Sequence, residues 1–364
     1  MNRKATYPLG YCLLALALVS LVPSATGQEK KADPGNAPFI LGGPHLSWAI
    51  HDAALSPDGK RIVTGHFIGY RDHSHADVWD ATTGKRLLNI KMEDVADCLS
   101  VAYSSDGRRI ATGSNTNNLV KVWDAETGKH LLTLKGHTES VRGVAFSPDG
   151  KRIISGGWYS VRVWDVETAK EVLKLEANTK GVWRIAVKWV AGSGRDHVMR
   201  IWNTQTGKQV LTAEAKNVVG IAFSPDSKRI VSASCGVFLK SRGPAPGTDE
   251  RTALNVWDVD TGKELFAVEL PKKEALNCAA FSPDGKWIVT GGYEPSGDYE
   301  NLSLVKIWDA TTGREVATLN PKTKRPFDDR VIAVAFTPDG SRIIAACSRW
   351  AVHILPFEKL SSKP

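Results

Sequence analysis

The sequence predicts an all-β fold assembled from one repeated unit, and three observations carry that prediction. Trp-Asp or Trp-Asn recurs at Trp79, Trp123, Trp164, Trp202, Trp257 and Trp308, at spacings of 44, 41, 38, 55 and 51 residues. A second marker, Ser-Pro-Asp-Gly or a near variant, begins at Ser56, Ser104, Ser147, Ser224, Ser282 and Thr337 and keeps phase with the first. Between the markers lie short runs rich in Val, Ile and aromatic residues, four to a unit, which suits strands. Self-similarity at this period decides the architecture before any single motif is read.

Seven units result, of which the fourth lacks the second marker and the seventh lacks the Trp. In the third unit the four predicted strands are Val141 to Phe146, Arg152 to Ser155, Val161 to Trp164 and Glu171 to Leu175. The first turn, Ser147-Pro148-Asp149-Gly150, has Pro where φ near −65° is wanted and Gly where positive φ is tolerated. The turn after the third strand, as in Asp124 to Lys129, offers an Asp side chain to cap it and Gly128 for the left-handed position. Four antiparallel strands repeated seven times at about 40 to 50 residues predict a seven-bladed β-propeller over residues 38–358.

Trp-Asp at the end of each third strand makes the chain similar to the WD40-repeat family. That resemblance implies a rigid, non-catalytic platform for a protein or peptide. It also implies a buried network in each blade joining an Asp, a His, a Ser or Thr and the Trp. Asp196, six residues before Trp202, keeps the Asp position, where other units have Asn117, Trp158 or Arg251; His137 is the clear Gly-His of the set. The network is therefore expected to be incomplete, leaving packing between blades to carry most of the stability.

Stacking the first strands places alanine at the penultimate position in all seven: Ala54, Ala102, Ala145, Ala186, Ala222, Ala280 and Ala335. Strands converging on an axis leave room only for a small side chain. Two residues earlier the sequence has Asp52 in the first unit and Arg184 in the fourth, charges that suit either a site near the axis or a solvated channel.

No good fourth strand follows Val352 to Leu355, whereas Pro38 to Gly43 resembles the fourth-strand element Leu131 to Gly136. The N-terminal segment is expected to complete the last blade and close the ring, removing exposed edges. In the fourth unit Val187 runs directly into Lys188-Trp189-Val190 with no turn marker, so strand residues must enter the bend and shorten that blade.

Residues 1–27 read as a secretory signal: Arg3 and Lys4, an apolar stretch from Leu9 to Val22, then small residues ahead of Gln28. Residues 28–37 form a polar leader and 359–364 a tail. An exported protein, periplasmic or extracellular, is expected, with no membrane attachment once the signal is removed. The formal charge of +8 falls to +6 without Arg3 and Lys4. The Pro-Asp-Gly-Lys-Arg turns sum to about +4 and the Asp-x-x-Thr-Gly-Lys turns to about −4, so no single-sign stripe tracks a phosphate backbone. A nucleic-acid partner is not expected, and a monomer is.

Length variation lies in the connections on one face: 66–76, 236–252, 294–303 and 320–330. Binding surfaces are built on such loops. The candidate partner-binding residues are Phe67, Tyr70 and Arg71 on the first, Phe238, Lys240 and Arg242 on the second, Tyr293 and Tyr299 at the third, and Lys324 and Arg325 on the fourth.

The strongest chemical constellation is His66, His73 and His75, with Asp72 and Asp77 beside them. His73 and His75 put both rings on one side of an extended segment, and imidazole with carboxylate suits zinc or another divalent ion. The same residue types also fit a solvated loop. No zincin, nucleophile-elbow, P-loop or dinucleotide motif is present in a suitable context, so no catalytic residue and no cofactor is expected. Cys98, Cys235, Cys278 and Cys347 are expected to be buried free thiols. The runner-up to the platform is a metal or small-molecule site built around the three histidines with Asp52 or Arg184.

Overall fold

In a computed structural model the described residues are 49–67, 75–81, 83–92, 97–147, 149–157, 160–176, 184–185, 189–193, 198–203, 206–215, 218–235, 252–271, 273–295, 301–319, 330–347 and 352–357. They form antiparallel sheets in chain order: sheet 1 (49–91), sheet 2 (98–134), sheet 3 (143–176), sheet 4 (184–214), sheet 5 (218–269), sheet 6 (275–319) and sheet 7 (331–356). Within each, sequence neighbours pair as hairpins.

The repeat markers explain the uniform build. Each marker Trp stands opposite the second residue of the preceding strand, as in Ile62↔Trp79, Ile153↔Trp164 and Ile288↔Trp308. Immediately before the Trp the pairing to the fourth strand shifts, as between Val163 and Trp164, which turns the Asp that follows into the next bend. That Asp then caps it: Asp124 Oδ1 accepts from Thr127 N at 2.7 Å and Thr127 Oγ1 at 2.8 Å. Gly128 sits at φ 70. In sheet 3 the same left-handed position is held by Ala169 at φ 60.

Seven apolar clusters fill the seven junctions. One joins sheets 1 and 2 through Val78, Cys98 and Trp123; others follow in order between sheets 2 and 3, 3 and 4, 4 and 5, 5 and 6, and 6 and 7. The seventh joins the two ends, packing Ala53, Ile62 and Trp79 of sheet 1 against Ile332, Ile344 and Ile354 of sheet 7. That cyclic order is a propeller. The repeated alanines belong to these junctions, since Ala54, Ala102, Ala145, Ala222 and Ala280 each pack on the cluster shared with the next sheet. Ala186 lies outside the described residues.

Three expectations need adjustment. Among the described residues six sheets have four strands and sheet 7 has three, so seven complete four-stranded blades are not seen. The closing segment 38–43 lies outside the described residues. The third unit's first strand is Gly143–Phe146, shorter than expected, because Val141 N bonds to Ser114 O of the neighbouring sheet instead. In sheet 4 the described part of the first strand is Arg184–Ile185, and the bend after it, where the turn marker is missing, lies outside the described residues.

Candidate functional site

The two ends of the propeller differ in kind. At one end the described turns are short and built alike: Ser56 Oγ donates to Asp58 Oδ1 at 2.6 Å and accepts from Arg61 N at 2.9 Å, and the same bonds recur at Ser104, Ser147 and Ser224. These serines are buried and hold their Asp carboxyls below the usual range through the hydroxyl bond. At the other end the connections are unequal. Sheet 6 stands out, because its second and third strands, Trp287–Pro295 and Asn301–Asp309, pair as far as Pro295↔Asn301. The arm they form carries Leu302, 48% exposed.

Of the residues proposed from sequence for partner contact, Tyr70, Arg71, Phe238, Lys240, Arg242, Tyr299, Lys324 and Arg325 lie outside the described residues. Phe67 ends the second strand of sheet 1 (Arg61–Phe67). Tyr293 requires a correction: it is 4% exposed, and the Arg330 guanidinium lies 4.8 Å from its ring centroid. Its ring packs at the base of the arm, where strand alternation turns it inward.

The histidines are brought together with a carboxylate. His66 is the penultimate residue of the second strand of sheet 1 while His75 and Asp77 lie on the third strand, His75–Asp80, and all three are buried. Thr64 pairs with Asp77, so strand alternation puts Thr64, His66, His75, Asp77 and Trp79 on one face. Ile62 and Trp79 on that face pack against sheet 7. The His66 and His75 rings stack at 4.8 Å between centroids. Asp77 Oδ2 lies 3.5 Å from His66 Nε2 and 3.2 Å from His75 Nε2. Its other oxygen accepts from Asn89 Nδ2 at 2.7 Å, with the half-exposed Arg86 guanidinium 3.7 Å away. Trp79 Nε1 donates to Thr64 Oγ1 at 2.9 Å, and that hydroxyl meets His66 Nε2 at 2.8 Å. Burial lowers His66 to about 4, so its imidazole is neutral near pH 7. Burial alone would raise Asp77, yet His75, His66 and Asn89 around it hold it below the usual carboxylate range. Of the histidines and carboxylates singled out in the sequence, His66, His75 and Asp77 are brought together, while His73 and Asp72 lie outside the described residues.

The Trp to hydroxyl bond is general. Trp123 bonds Thr112, Trp164 bonds Ser155, Trp257 bonds Ser232 and Trp308 bonds Thr290. In sheet 4 Gly192 stands opposite Arg200, in the place Thr64 holds opposite Asp77, and has no hydroxyl to offer Trp202. A histidine joins in sheet 3, where His137 Nε2 meets Ser155 Oγ at 2.7 Å. Asp52, the candidate near the axis, is buried and accepts from Ala53 N at 3.0 Å and Val101 N at 2.8 Å. It ties sheet 1 to sheet 2. The side chain of Arg184 lies outside the description. Cys98, Cys235, Cys278 and Cys347 form no disulfide with one another; Cys98, Cys278 and Cys347 are buried, and Cys235, expected buried, is half-buried just past the end of its strand.

Sequence reasoning missed a feature two residues before each Trp. That position is Lys121, Arg162, Asn255 and Lys306 in sheets 2, 3, 5 and 6, and a polar partner nine residues on answers it. Arg162 pairs with Glu171, Asn255 bonds Glu264 at 2.9 Å, and Lys306 meets Glu315 at 2.9 Å and Glu274 at 2.7 Å. In sheet 1 the pair is reversed in sign, Asp77 with Arg86. Alignment of the repeats on their Trp residues holds that signal.

Four segments, 93–124, 128–165, 206–237 and 268–309, match the family described as WD domain, G-beta repeat. Among similar curated proteins are the WD repeat-containing protein VIP3 of Arabidopsis thaliana and the small ribosomal subunit protein RACK1 of Caenorhabditis elegans. VIP3 is 32% identical over 30% of this chain and 34% of its own length. RACK1 is 28% identical over 27% of this chain and 28% of its own. An uncharacterized WD repeat-containing protein of Deinococcus radiodurans is 28% identical over 26% of this chain and 30% of its own. The chain thus spans about a third of these relatives or less. WD-repeat proteins generally act as protein-interaction scaffolds without catalysis of their own. The matched repeats and the WD-repeat relatives support membership of the WD40-repeat family.

Proposed function

We propose that this protein is a non-catalytic scaffold that binds a protein or peptide at the end of the propeller bearing the unequal connections. The asymmetry between the ends carries the reading. One end is a set of near-identical capped turns with their polar groups satisfied internally; the other bears the projecting arm of sheet 6 and long connections between second and third strands. A rigid ring that varies only at one end presents a pre-organised surface there. Phe67, Tyr70, Arg71, Phe238, Lys240, Arg242, Tyr299, Lys324 and Arg325 are proposed contacts, to which the exposed Leu302 is added.

We also propose export, directed by the apolar stretch Leu9 to Val22, and closure of sheet 7 by residues 38–43. The experiment is affinity capture from the envelope and secreted fractions of the native cell with three baits: wild type, a variant with 237–251 shortened, and a control with Lys151→Glu at the opposite end. Specific partners retained by wild type and the control but lost from the shortened variant support the reading. Identical capture by all three overturns it.

A further inference from the structure

We infer that His66, His75 and Asp77 form a zinc-type divalent-cation site, set on the face of sheet 1 that packs toward sheet 7.

Comparison among the sheets makes the case. In sheets 2, 3 and 6 a cationic side chain lies over the marker Trp: Lys121 Nζ at 5.9 Å, Arg162 Cζ at 6.0 Å and Lys306 Nζ at 5.7 Å from the ring centroids. Sheet 1 replaces that cation with Asp77 and surrounds the carboxylate with two imidazoles. A slot filled by a protein cation in its siblings is here lined by three cation ligands.

The spacing suits a metal. Metal to ligand bonds of about 2.0 to 2.1 Å set about 3.3 Å between ligand atoms of a tetrahedron. The two nitrogen to Oδ2 distances are 3.5 and 3.2 Å. The three ligand atoms all lie within 4.8 Å of one another. Asp77 Oδ2 is buried and accepts no well-aligned hydrogen bond among the described residues, a costly condition for a carboxylate oxygen that a metal would relieve. Two imidazoles with one carboxylate favour zinc over magnesium or calcium, which prefer all-oxygen sets.

The surroundings hold the ligands in place. Asn89 fixes Oδ1 and so aims Oδ2 at the imidazoles, while Thr64, itself held by Trp79, bonds the same His66 Nε2 that would ligate. Binding would move the Thr64 hydroxyl off His66 Nε2 toward the Asp77 carbonyl, 3.4 Å away. Three protein ligands leave one position for water. Arg86 approaches the opposite oxygen, Oδ1, at 3.7 Å. The site stands whether or not the loop-bearing end takes a partner.

The test uses untagged full-length protein stripped with chelator, titrated calorimetrically with Zn2+ and spectroscopically with Co2+. One ion per chain, a visible band of tetrahedral type for Co2+, and a zinc-dependent rise in melting temperature are expected. Asp77→Asn, which keeps the shape, and His75→Ala should each weaken binding at least about tenfold. His130→Ala, at an exposed imidazole on sheet 2, should not. Melting of the metal-free variants reports their folding; should either fail to fold, the wild-type Co2+ spectrum decides, an octahedral band overturning the site. Absence of binding at about 100 μM free zinc, where a site of this donor set should be filled, also overturns it, as does binding untouched by both substitutions.

Discussion

Arg229 of sheet 5 lies over Phe281 of sheet 6, its Cζ 5.4 Å from the ring centroid, while its two terminal nitrogens each donate at 2.7 Å to Gly285 O and Ala310 O. Arg109 repeats the arrangement at the junction of sheets 2 and 3, over Phe146 at 5.5 Å and bonded to Gly150 O at 3.0 Å. The arginines that follow these turns in sheets 2 and 5 thus act as clasps between successive blades.

Arg229→Lys should lower unfolding free energy by about 1 to 2 kcal/mol, because a single ammonium cannot stack on the ring and donate in two directions at once. Urea unfolding checks this. Lys228→Ala, one residue earlier and exposed, should change stability by less than about 0.5 kcal/mol.

Ala169 and Ser227 hold left-handed φ of 60 where sibling turns have glycine. The left-handed region costs an L-residue about 1 kcal/mol or more, partly offset by the greater unfolded-state freedom of glycine. Ala169→Gly should therefore raise the melting temperature, with a gain of up to about 1 kcal/mol. Loss of stability would contradict the assignment of that strain.

Gly291 lies where sheet 7 presses closest on sheet 6. A Cβ there would stand 2.4 Å from Val331 Cγ1 and 2.7 Å from Val334 Cγ1. Gly291→Ala should destabilise by about 1 to 3 kcal/mol, and Val331→Ala in the same chain should restore part of the loss. Denaturant melts of both proteins measure it.

His137 supplies an acid-sensitive contribution. Burial first, and the nearby Arg162 second, lower its pKa to about 4 from 6.5. The unfolded chain therefore binds more protons than the folded one below about pH 6.5. The contribution is fully present above that value and is lost as pH falls toward 4, on the order of 3 kcal/mol in all. Stability measured from pH 7 to 4 should fall less steeply for His137→Asn than for wild type.

The fold was legible because its signals are local and repeated. The turn chemistry of Ser56 to Arg61 and of Asp124 to Lys129 recurs in phase, and each hairpin follows from it. The clasp by Arg229 and the depth of Tyr293 were not, since both depend on which sheet stands alongside. The site was half legible. The sequence put His66, His75 and Asp77 in one cluster, but that they share a face and are buried follows only once the strands pair 64 with 77. The missing hydroxyl at Gly192, opposite Arg200, was likewise hidden in a unit that lacks its turn marker.

The junction between sheets 1 and 7 also bears on how the chain folds. Each of the other junctions joins sheets adjacent in sequence, but this one brings Ala53 and Ile62 against Ile332 and Ile344. Such contacts carry the largest loop-closure entropy and are expected to form last. During synthesis sheet 1 must wait with Ile62 and Trp79 bare until sheet 7 emerges, which makes its open face the aggregation-prone surface of the nascent chain.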